Sequence, residues 1–227
     1  MRRHERQLPP PHPAPRSLAR KRGSGEATRY SGMHPPPSLH RTGWVEAVCG
    51  SMFSGKTEEL LRRVKRARLA RQRVLLFKPR VDDRYDAVKV VTHEGANADA
   101  VPVAGATELL ALVPPDVAVV GVDEVQFFDA DIVSAVEALA SRGARVVVAG
   151  LDQDWRGKPF GPMPALLAIA EYVTKLHAVC ARCGAAATRS QRLVAAEGQL
   201  FVGGSAEYEA RCRACFVPDQ VAQAGRQ

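Results

Sequence analysis

Few folds can accommodate the eight-residue segment at positions 50–57 of this chain. The segment consists of Gly50, Ser51, Met52, Phe53, Ser54, Gly55, Lys56 and Thr57. It matches the pattern G-x-x-x-x-G-K-[ST], in which the glycines let backbone N–H groups turn inward around phosphate groups. The segment therefore predicts a phosphate-binding loop.

The residues on either side of this loop fit the same interpretation. An apolar run at 44–49 predicts a strand before it, and apolar residues at helical spacing predict a helix at 57–70 after it. A helix N-terminus attracts anions, Lys56 can reach the β- and γ-phosphates of a nucleoside triphosphate, and the Thr57 hydroxyl can ligate Mg²⁺. We therefore expect ATP and Mg²⁺ at this loop.

The remaining periodicity predicts alternating strands and helices. Apolar runs at 74–77, 117–122 and 145–149 have the length and composition of strands buried on both faces, and 132–141 has helical spacing closed by Gly143. Such alternation is typical of a doubly wound, mostly parallel sheet. We predict an α/β fold of the P-loop NTPase type, RecA-like, with a smaller metal-binding part after it.

Two carboxylates, Asp123 and Glu124, follow one of the predicted strands directly. The carboxyl ends of parallel strands form the ligand-binding edge of such sheets. Because side chains alternate along a strand, we expect Asp123 to face the Mg²⁺ near Thr57 and Glu124 to face the group that attacks the γ-phosphate. The pair alone leaves open whether that group is water, as in an ATPase, or a substrate hydroxyl.

The next residues favour an organic acceptor. Val125 is followed by the amide of Gln126 and the rings of Phe127 and Phe128. An amide can pair with the edge of a nucleobase and an aromatic ring can stack on its face. Phenylalanines after a strand are also common core residues, so this feature supports the pair without deciding its function.

Four of the five cysteines form two C-x-x-C pairs. They are Cys180, Cys183, Cys212 and Cys215. Four thiolates in two matched pairs predict a closed, structural Zn²⁺ site rather than redox dithiols or disulfides. The 28 residues between the pairs exceed the usual ribbon spacing, so we expect the metal to pin the base of a loop. Cys49, in the first strand, is expected to be a core residue.

The positive charge of the chain is concentrated at its beginning. Residues 1–42 hold nine Arg or Lys against two Glu, which accounts for seven of the eight net positive charges. The rest of the chain is nearly neutral, which argues against nucleic-acid binding, and no apolar run is long enough to cross a bilayer. We interpret 1–42 as a disordered, proline-rich tail, with a targeting role or an extension upstream of Met33 as alternatives.

Taken together, these segments resemble the type II thymidine kinases, the zinc-containing cellular-type family, over about residues 43–218. The matching blocks are GSMFSGKTEEL at 50–60, KP at 78–79 with DDRY at 82–85, TH at 92–93, DEVQFF at 123–128, GLD at 150–152, GKPFG at 157–161, and VGG at 202–204 before Tyr208. The resemblance implies transfer of the γ-phosphate of ATP to the 5′-hydroxyl of thymidine, and it leaves deoxyuridine as a further acceptor.

The resemblance also implies roles for individual residues. Glu124 would be the general base, Asp82 and Asp123 would belong to the Mg²⁺ shell, Arg84 would hold the phosphates, and Val125 and Gln126 would lie at the nucleotide. The base pocket would be formed by Met52, Phe127, Phe128, Leu151, Trp155, Val202, Gly203, Gly204 and Tyr208. The residues around 202–208 resemble a lasso loop whose ends the zinc site anchors. Trp155 stands where the family commonly has Phe.

The resulting domain organisation has four parts. We predict the tail at 1–42, the ATP-binding domain at 43–178, the zinc subdomain with its lasso loop at 179–218, and a second tail at 219–227. The resemblance further implies a cytoplasmic homotetramer inhibited by dTTP. Two alternatives remain, an ATP-hydrolysing nucleic-acid motor and a non-catalytic zinc-ribbon module; neutral charge argues against the first and the phosphate loop against the second.

Overall fold

The computed structural model describes residues 42–80, 89–91, 97–194 and 203–218. These residues all belong to one compact unit that spans His40–Gln227. The predicted tail at 1–42, apart from Thr42, and the predicted tail at 219–227 lie outside the described residues, and so do Asp82, Arg84 and Val202.

The described residues form twelve strands and four α-helices. The strands are β1 (Trp44–Gly50), β2 (Val74–Pro79), β3 (Lys89–Val91), β4 (Asn97–Asp99), β5 (Val101–Val103), β6 (Val119–Val122), β7 (Arg145–Gly150), β8 (Tyr172–Leu176), β9 (Ala178–Val179), β10 (Ala186–Ala187), β11 (Arg189–Arg192) and β12 (Tyr208–Arg211). The helices are α1 (Lys56–Leu69), α2 (Ala106–Leu112), α3 (Asp131–Ser141) and α4 (Met163–Ile169), and a 3-10 turn covers Val125–Phe127.

Six parallel strands form the central sheet, in the order β5-β2-β6-β7-β1-β8. The predicted α/β fold is therefore confirmed. The strands β6 and β7 are almost wholly buried because helices cover both faces of the sheet. The predicted helix at 57–70 begins one residue earlier and ends one residue earlier, and the predicted strand at 117–122 begins at Val119.

Helix α1 lies very close to the sheet. A Cβ on Gly121, in the middle of β6, would lie 2.8 Å from Leu76 Cδ1 and 3.3 Å from both Leu60 Cδ1 and Val64 Cγ2. Leu60 and Val64 are the buried residues of α1 that pack against Leu76. Glycine at position 121 thus lets α1 approach β6, which sets the distance between the phosphate loop and the end of that strand.

The cysteine pairs lie in two short antiparallel hairpins beyond the sheet. The first pair lies between β9 and β10, and the second follows β12, which pairs with β11. We call these four strands and their connections the zinc hairpins. Among the residues that the structure describes, no helix is both long and apolar enough to cross a membrane.

Candidate active site

The predicted phosphate loop connects β1 to α1, as its sequence requires. Gly50 and Gly55 have φ of 148° and 82°, values that favour glycine. Phe53 also has a positive φ, of 63°. The Ser54 hydroxyl donates to the Ser51 carbonyl at 2.8 Å, which closes the turn. The loop is thus a preformed turn with its open side at the N-terminus of α1.

Lys56 is the first residue of α1 and its side chain is buried. Its ammonium donates to the Ser51 carbonyl at 2.8 Å. Burial lowers the pKa of Lys56, while the carboxylates of Glu124 and Asp123 oppose that shift. A buried ammonium that already points across the loop can exchange its backbone acceptor for a phosphate oxygen without a large rearrangement.

Asp123 follows β6 and contacts the phosphate loop. Its Oδ2 accepts a hydrogen bond from the Thr57 hydroxyl at 3.1 Å, and its Oδ1 accepts one from the Glu124 N–H at 3.0 Å. Burial and the neighbouring Glu124 carboxylate raise the pKa of Asp123 to about 7. The Thr57 hydroxyl and the Asp123 carboxylate are oxygen ligands of the kind that Mg²⁺ prefers. A positive charge between them would also stabilise the ionised form of the buried carboxylate.

Glu124 lies in a turn and not in a strand. β6 ends at Val122, and Glu124 has φ 49° and ψ 39°, in the left-handed region. The alternation of side chains along a strand therefore does not explain how the two carboxylates differ. They differ in their partners, because Asp123 accepts from Thr57 whereas Glu124 Oε2 accepts from the Gln126 side-chain amide.

The residues after Glu124 have different environments. Val125, Gln126 and Phe128 are buried, and Phe128 belongs to the main hydrophobic core. Phe127 is half-buried and its ring contacts the Phe160 ring edge-on, with 5.8 Å between the centroids. Of the two phenylalanines, Phe127 is the more accessible to a ligand.

Two residues of the predicted base pocket lie near the same arginine. The guanidinium of Arg192 lies 4.1 Å from the centroid of the Trp155 ring and 6.0 Å from that of the Tyr208 ring. Arg156 contacts the Trp155 ring as well, at 4.5 Å. The larger ring at position 155 thus offers a face to cations as well as to bases.

The described part of the predicted lasso loop is tied together by local hydrogen bonds. The Gly204 N–H donates to Glu207 Oε2 at 2.6 Å, and the Tyr208 N–H donates to the Gly204 carbonyl at 3.0 Å. A Cβ on Gly203 would lie 2.8 Å from the Glu207 Cβ. Glycine at position 203 therefore lets the loop fold back on Glu207 just before β12.

The zinc hairpins contact the phosphate loop directly. The Met52 N–H donates to the Ser190 hydroxyl at 3.0 Å, and the Ser51 hydroxyl donates to the Ala187 carbonyl at 3.4 Å. The Phe53 ring packs against the small apolar cluster of the hairpins. The predicted ATP loop and the predicted metal-binding part are thus in direct contact.

The four cysteines come together as predicted. Their sulfur atoms all lie within 4.8 Å of one another, and all five thiols of the chain are free. The Sγ atoms of Cys183 and Cys212 are 3.6 Å apart. Ligands about 2.3 Å from a tetrahedral Zn²⁺ are separated by about 3.8 Å, so the cluster has the dimensions of such a site.

The pKa shifts of the clustered cysteine thiols also fit a site for a bound cation. Backbone N–H groups, that of Cys212 first, lower the pKa of Cys180 to about 6. Hydrogen bonds within the cluster, that of Cys212 first, raise the pKa of Cys215 to about 12. Four thiolates at this spacing need a positive charge between them, and a Zn²⁺ ion would supply it.

We expect Cys215→Ser to abolish stoichiometric zinc binding and to lower the melting temperature by several degrees. Loss of one thiolate removes a ligand whose binding energy contributes to folding. Metal content after gel filtration and calorimetric melting measure the two effects. Cys49→Ala is the matched control, because Cys49 is buried in β1, away from the cluster, and should retain zinc. Equal zinc content in both variants would exclude the cluster as the metal site.

Sequence reasoning did not identify three polar residues of the site. Ser190 and Arg192 lie in β11, and Asp152, after β7, pairs with Lys175 at 2.5 Å. All three are buried. Polar residues in a short strand are typical of exposed surface, so the sequence carries no signal that these side chains face the site.

Comparisons with known proteins agree with this geometry. Residues 43–216 match the family model described as thymidine kinase. The chain is also similar to a thymidine kinase of Bdellovibrio bacteriovorus, with 52% identity over 181 residues, which cover 80% of this chain and 89% of the relative. The matched region contains every described residue that the sequence predicted for the site.

Proposed function

The chain belongs to the thymidine kinase family, and from this premise we propose how its residues transfer the γ-phosphate of ATP to thymidine. The reaction is an ATP-dependent phosphorylation. The resemblance of the site blocks favours the 5′-hydroxyl of thymidine as the acceptor, with deoxyuridine as a second substrate.

One observation supports the proposal most strongly. Asp123 contacts Thr57 of the phosphate loop, and the next residue, Glu124, carries a carboxylate that is bonded elsewhere and only half-buried. A metal-binding group and a base therefore lie one residue apart beside the position of the triphosphate. The two roles fall to different carboxylates.

In the proposed reaction, Glu124 accepts the proton of the 5′-hydroxyl. The sugar oxygen then forms a bond to the γ-phosphorus while the bond from that phosphorus to the β,γ-bridging oxygen breaks, and ADP leaves with the bonding electrons. The Lys56 ammonium binds the oxygens of the β- and γ-phosphates, on which negative charge develops during the transfer. Backbone N–H groups of the loop and the N-terminus of α1 bind the same oxygens.

Mg²⁺ is part of the proposal. Thr57 and Asp123 would hold it, and it would neutralise phosphate charge as the bond to ADP breaks. Asp82, as a further member of its shell, and Arg84, as a phosphate ligand, are proposed from the sequence blocks alone. Val125 and Gln126 are buried beside these groups and complete the turn that carries Glu124.

The acceptor base is proposed to bind between the phosphate loop and the zinc hairpins. The residues proposed for its pocket are Met52, Phe127, Phe128, Leu151, Trp155, Val202, Gly203, Gly204 and Tyr208. Support comes from the hydrogen bond of the Met52 backbone N–H to Ser190 and from the contacts of the Trp155 and Tyr208 rings with Arg192, which link these residues to one part of the hairpins. Phe128, in the core, would support the pocket from behind.

The surroundings of the enzyme are also part of the proposal. None of the five cysteines forms a disulfide, which suits a reducing compartment and favours the cytoplasm. Exposed Tyr172 and Val173 on the edge strand β8 suit a contact between subunits, in keeping with a homotetramer. Thymidylate formation would supply DNA synthesis through nucleotide salvage.

Incubation with ATP, Mg²⁺ and each deoxynucleoside in turn tests the proposed substrate. We expect thymidine to give a nucleoside monophosphate and ADP in equal amounts, at least about tenfold faster than the purine nucleosides, because a pocket that pairs polar groups rejects mismatched bases. Chromatography of both products measures this. ADP release at the same rate without any nucleoside would instead assign the site to an ATPase.

A further inference from the structure

We propose that Gln126 is a positioning residue that sets the orientation of the Glu124 carboxylate from the end of β7. Its side-chain amide bridges Glu124 and the backbone of Leu151. This inference rests on the proposed role of Glu124 as the base. It differs from the sequence-based expectation for Gln126, which was contact with the nucleotide.

The chemistry of the contacts fixes which way the amide points. The Leu151 N–H donates to Gln126 Oε1 at 3.0 Å, and a backbone N–H can only donate, so the atom facing it must be the oxygen. The nitrogen Nε2 must then face Glu124, where it donates to Oε2. A donor at this position requires an acceptor opposite, which is the Glu124 Oε2 atom.

Gln126 has little freedom to adopt another arrangement. It is 2% exposed. A Cβ on Gly150 would lie 2.5 Å from Gln126 Oε1, and a Cβ on Gly161 would lie 2.3 Å from the Gln126 carbonyl oxygen. Two glycines therefore leave space for this residue on two sides, and its burial argues against a place in the open phosphate site.

Glu124 itself needs such a restraint. Its backbone lies in the left-handed region, which is sparsely populated by residues other than glycine. Its side chain is only half-buried, so packing alone does not fix the carboxylate. The bond from Gln126 fixes one carboxylate oxygen and leaves the other to face the acceptor. Because the same amide is bonded to the Leu151 backbone, it holds the proposed base at a fixed position relative to Leu151 of the proposed pocket.

Two substitutions separate donation from packing. Gln126→Met keeps the length and volume but removes both the donor to Glu124 and the acceptor for the Leu151 N–H, and we expect kcat to fall about 10²-fold, the cost of a misplaced catalytic group, with less than a threefold change in KM for ATP. Gln126→Glu keeps the acceptor for the Leu151 N–H but places a second carboxylate against that of Glu124. Near pH 8 we expect this variant to lose about as much activity as Gln126→Met.

The glutamate variant has a distinctive pH dependence. Two carboxylates in contact share a proton as the pH falls, and a protonated glutamate at position 126 would donate to Glu124 as the amide does. The ratio of its kcat to that of the native enzyme should therefore rise at least about fivefold between pH 8 and pH 6, since the donor returns with the proton. A packing defect alone would give a constant ratio.

The matched controls are Gln72→Met and Gln72→Glu, because Gln72 is exposed in the turn after α1. A constant ratio across pH for Gln126→Glu, or a raised KM for ATP at unchanged kcat for Gln126→Met, would overturn the proposal. If the methionine variant folds poorly, the glutamate variant decides alone, since its comparison is across pH within one protein. If the Gln126 tests fail while Glu124→Gln is inactive, only the role of Gln126 is wrong and the proposed function stands. If Glu124→Gln is active, Glu124 is not the base.

Discussion

Glu124→Gln should lower kcat for thymidine phosphorylation by about 10³-fold, within the range that general-base catalysis contributes. Glutamine has the same shape, and its carbonyl oxygen can accept the same hydrogen bond from Gln126. It cannot take up a proton from the sugar hydroxyl. The KM values for ATP and thymidine should change little, because the lost interaction forms during the reaction.

Steady-state kinetics with both substrates measure this effect. Glu137→Gln is the matched control, since Glu137 is exposed on α3 and its substitution makes the same change in charge. We expect the control to keep native kcat. Thymidylate formation at the native rate by Glu124→Gln would show that another group accepts the proton, and the proposed mechanism would then be wrong.

Lys56→Ala should lower kcat/KM for ATP by about 10³-fold or more, since a preorganised cation at a transferring phosphate usually contributes that much. The fold should survive the change. Burial lowers the pKa of Lys56, so the substitution removes a charge that burial destabilises. The hydrogen bond that is lost is the one from the ammonium to the Ser51 carbonyl, within the loop. The melting temperature should therefore stay within a few degrees of the native value.

Lys65→Ala serves as the control for Lys56→Ala, because Lys65 is exposed on the same helix. Nucleotide binding by calorimetry and turnover by product formation should both fall in the Lys56 variant alone. Undiminished turnover would mean that the loop at 50–57 does not bind the reacting triphosphate.

The parts of the fold with strong local signals were predictable from the sequence. The phosphate loop needs glycines at fixed positions, and the central strands are continuous apolar runs, so the residues alone were enough to identify both. The α/β fold predicted from them is confirmed, and so are the family and the activity that the resemblance of the sequence blocks implied. The short helices α2 and α4 were not predicted, because seven residues carry less than two full repeats of a helical pattern.

The site was predictable in its residue types but less so in its geometry. The left-handed backbone of Glu124 is not marked by a glycine, and the orientation of the Gln126 amide depends on Leu151, which is distant in sequence. Buried Arg192 could not be anticipated from a wholly polar segment. The roles of Asp82, Arg84 and Val202 remain predictions, since these residues lie outside the described part of the chain.

The hydrogen bonds from Ser51 and Met52 to the zinc hairpins limit how this enzyme can be redesigned. With the acceptor bound as proposed, acceptor preference and triphosphate binding would be linked at this contact. Exchanging the hairpins for those of a relative would break the bond from the Met52 N–H unless a hydroxyl were kept at position 190, whereas the bond from Ser51 needs only the backbone carbonyl at position 187.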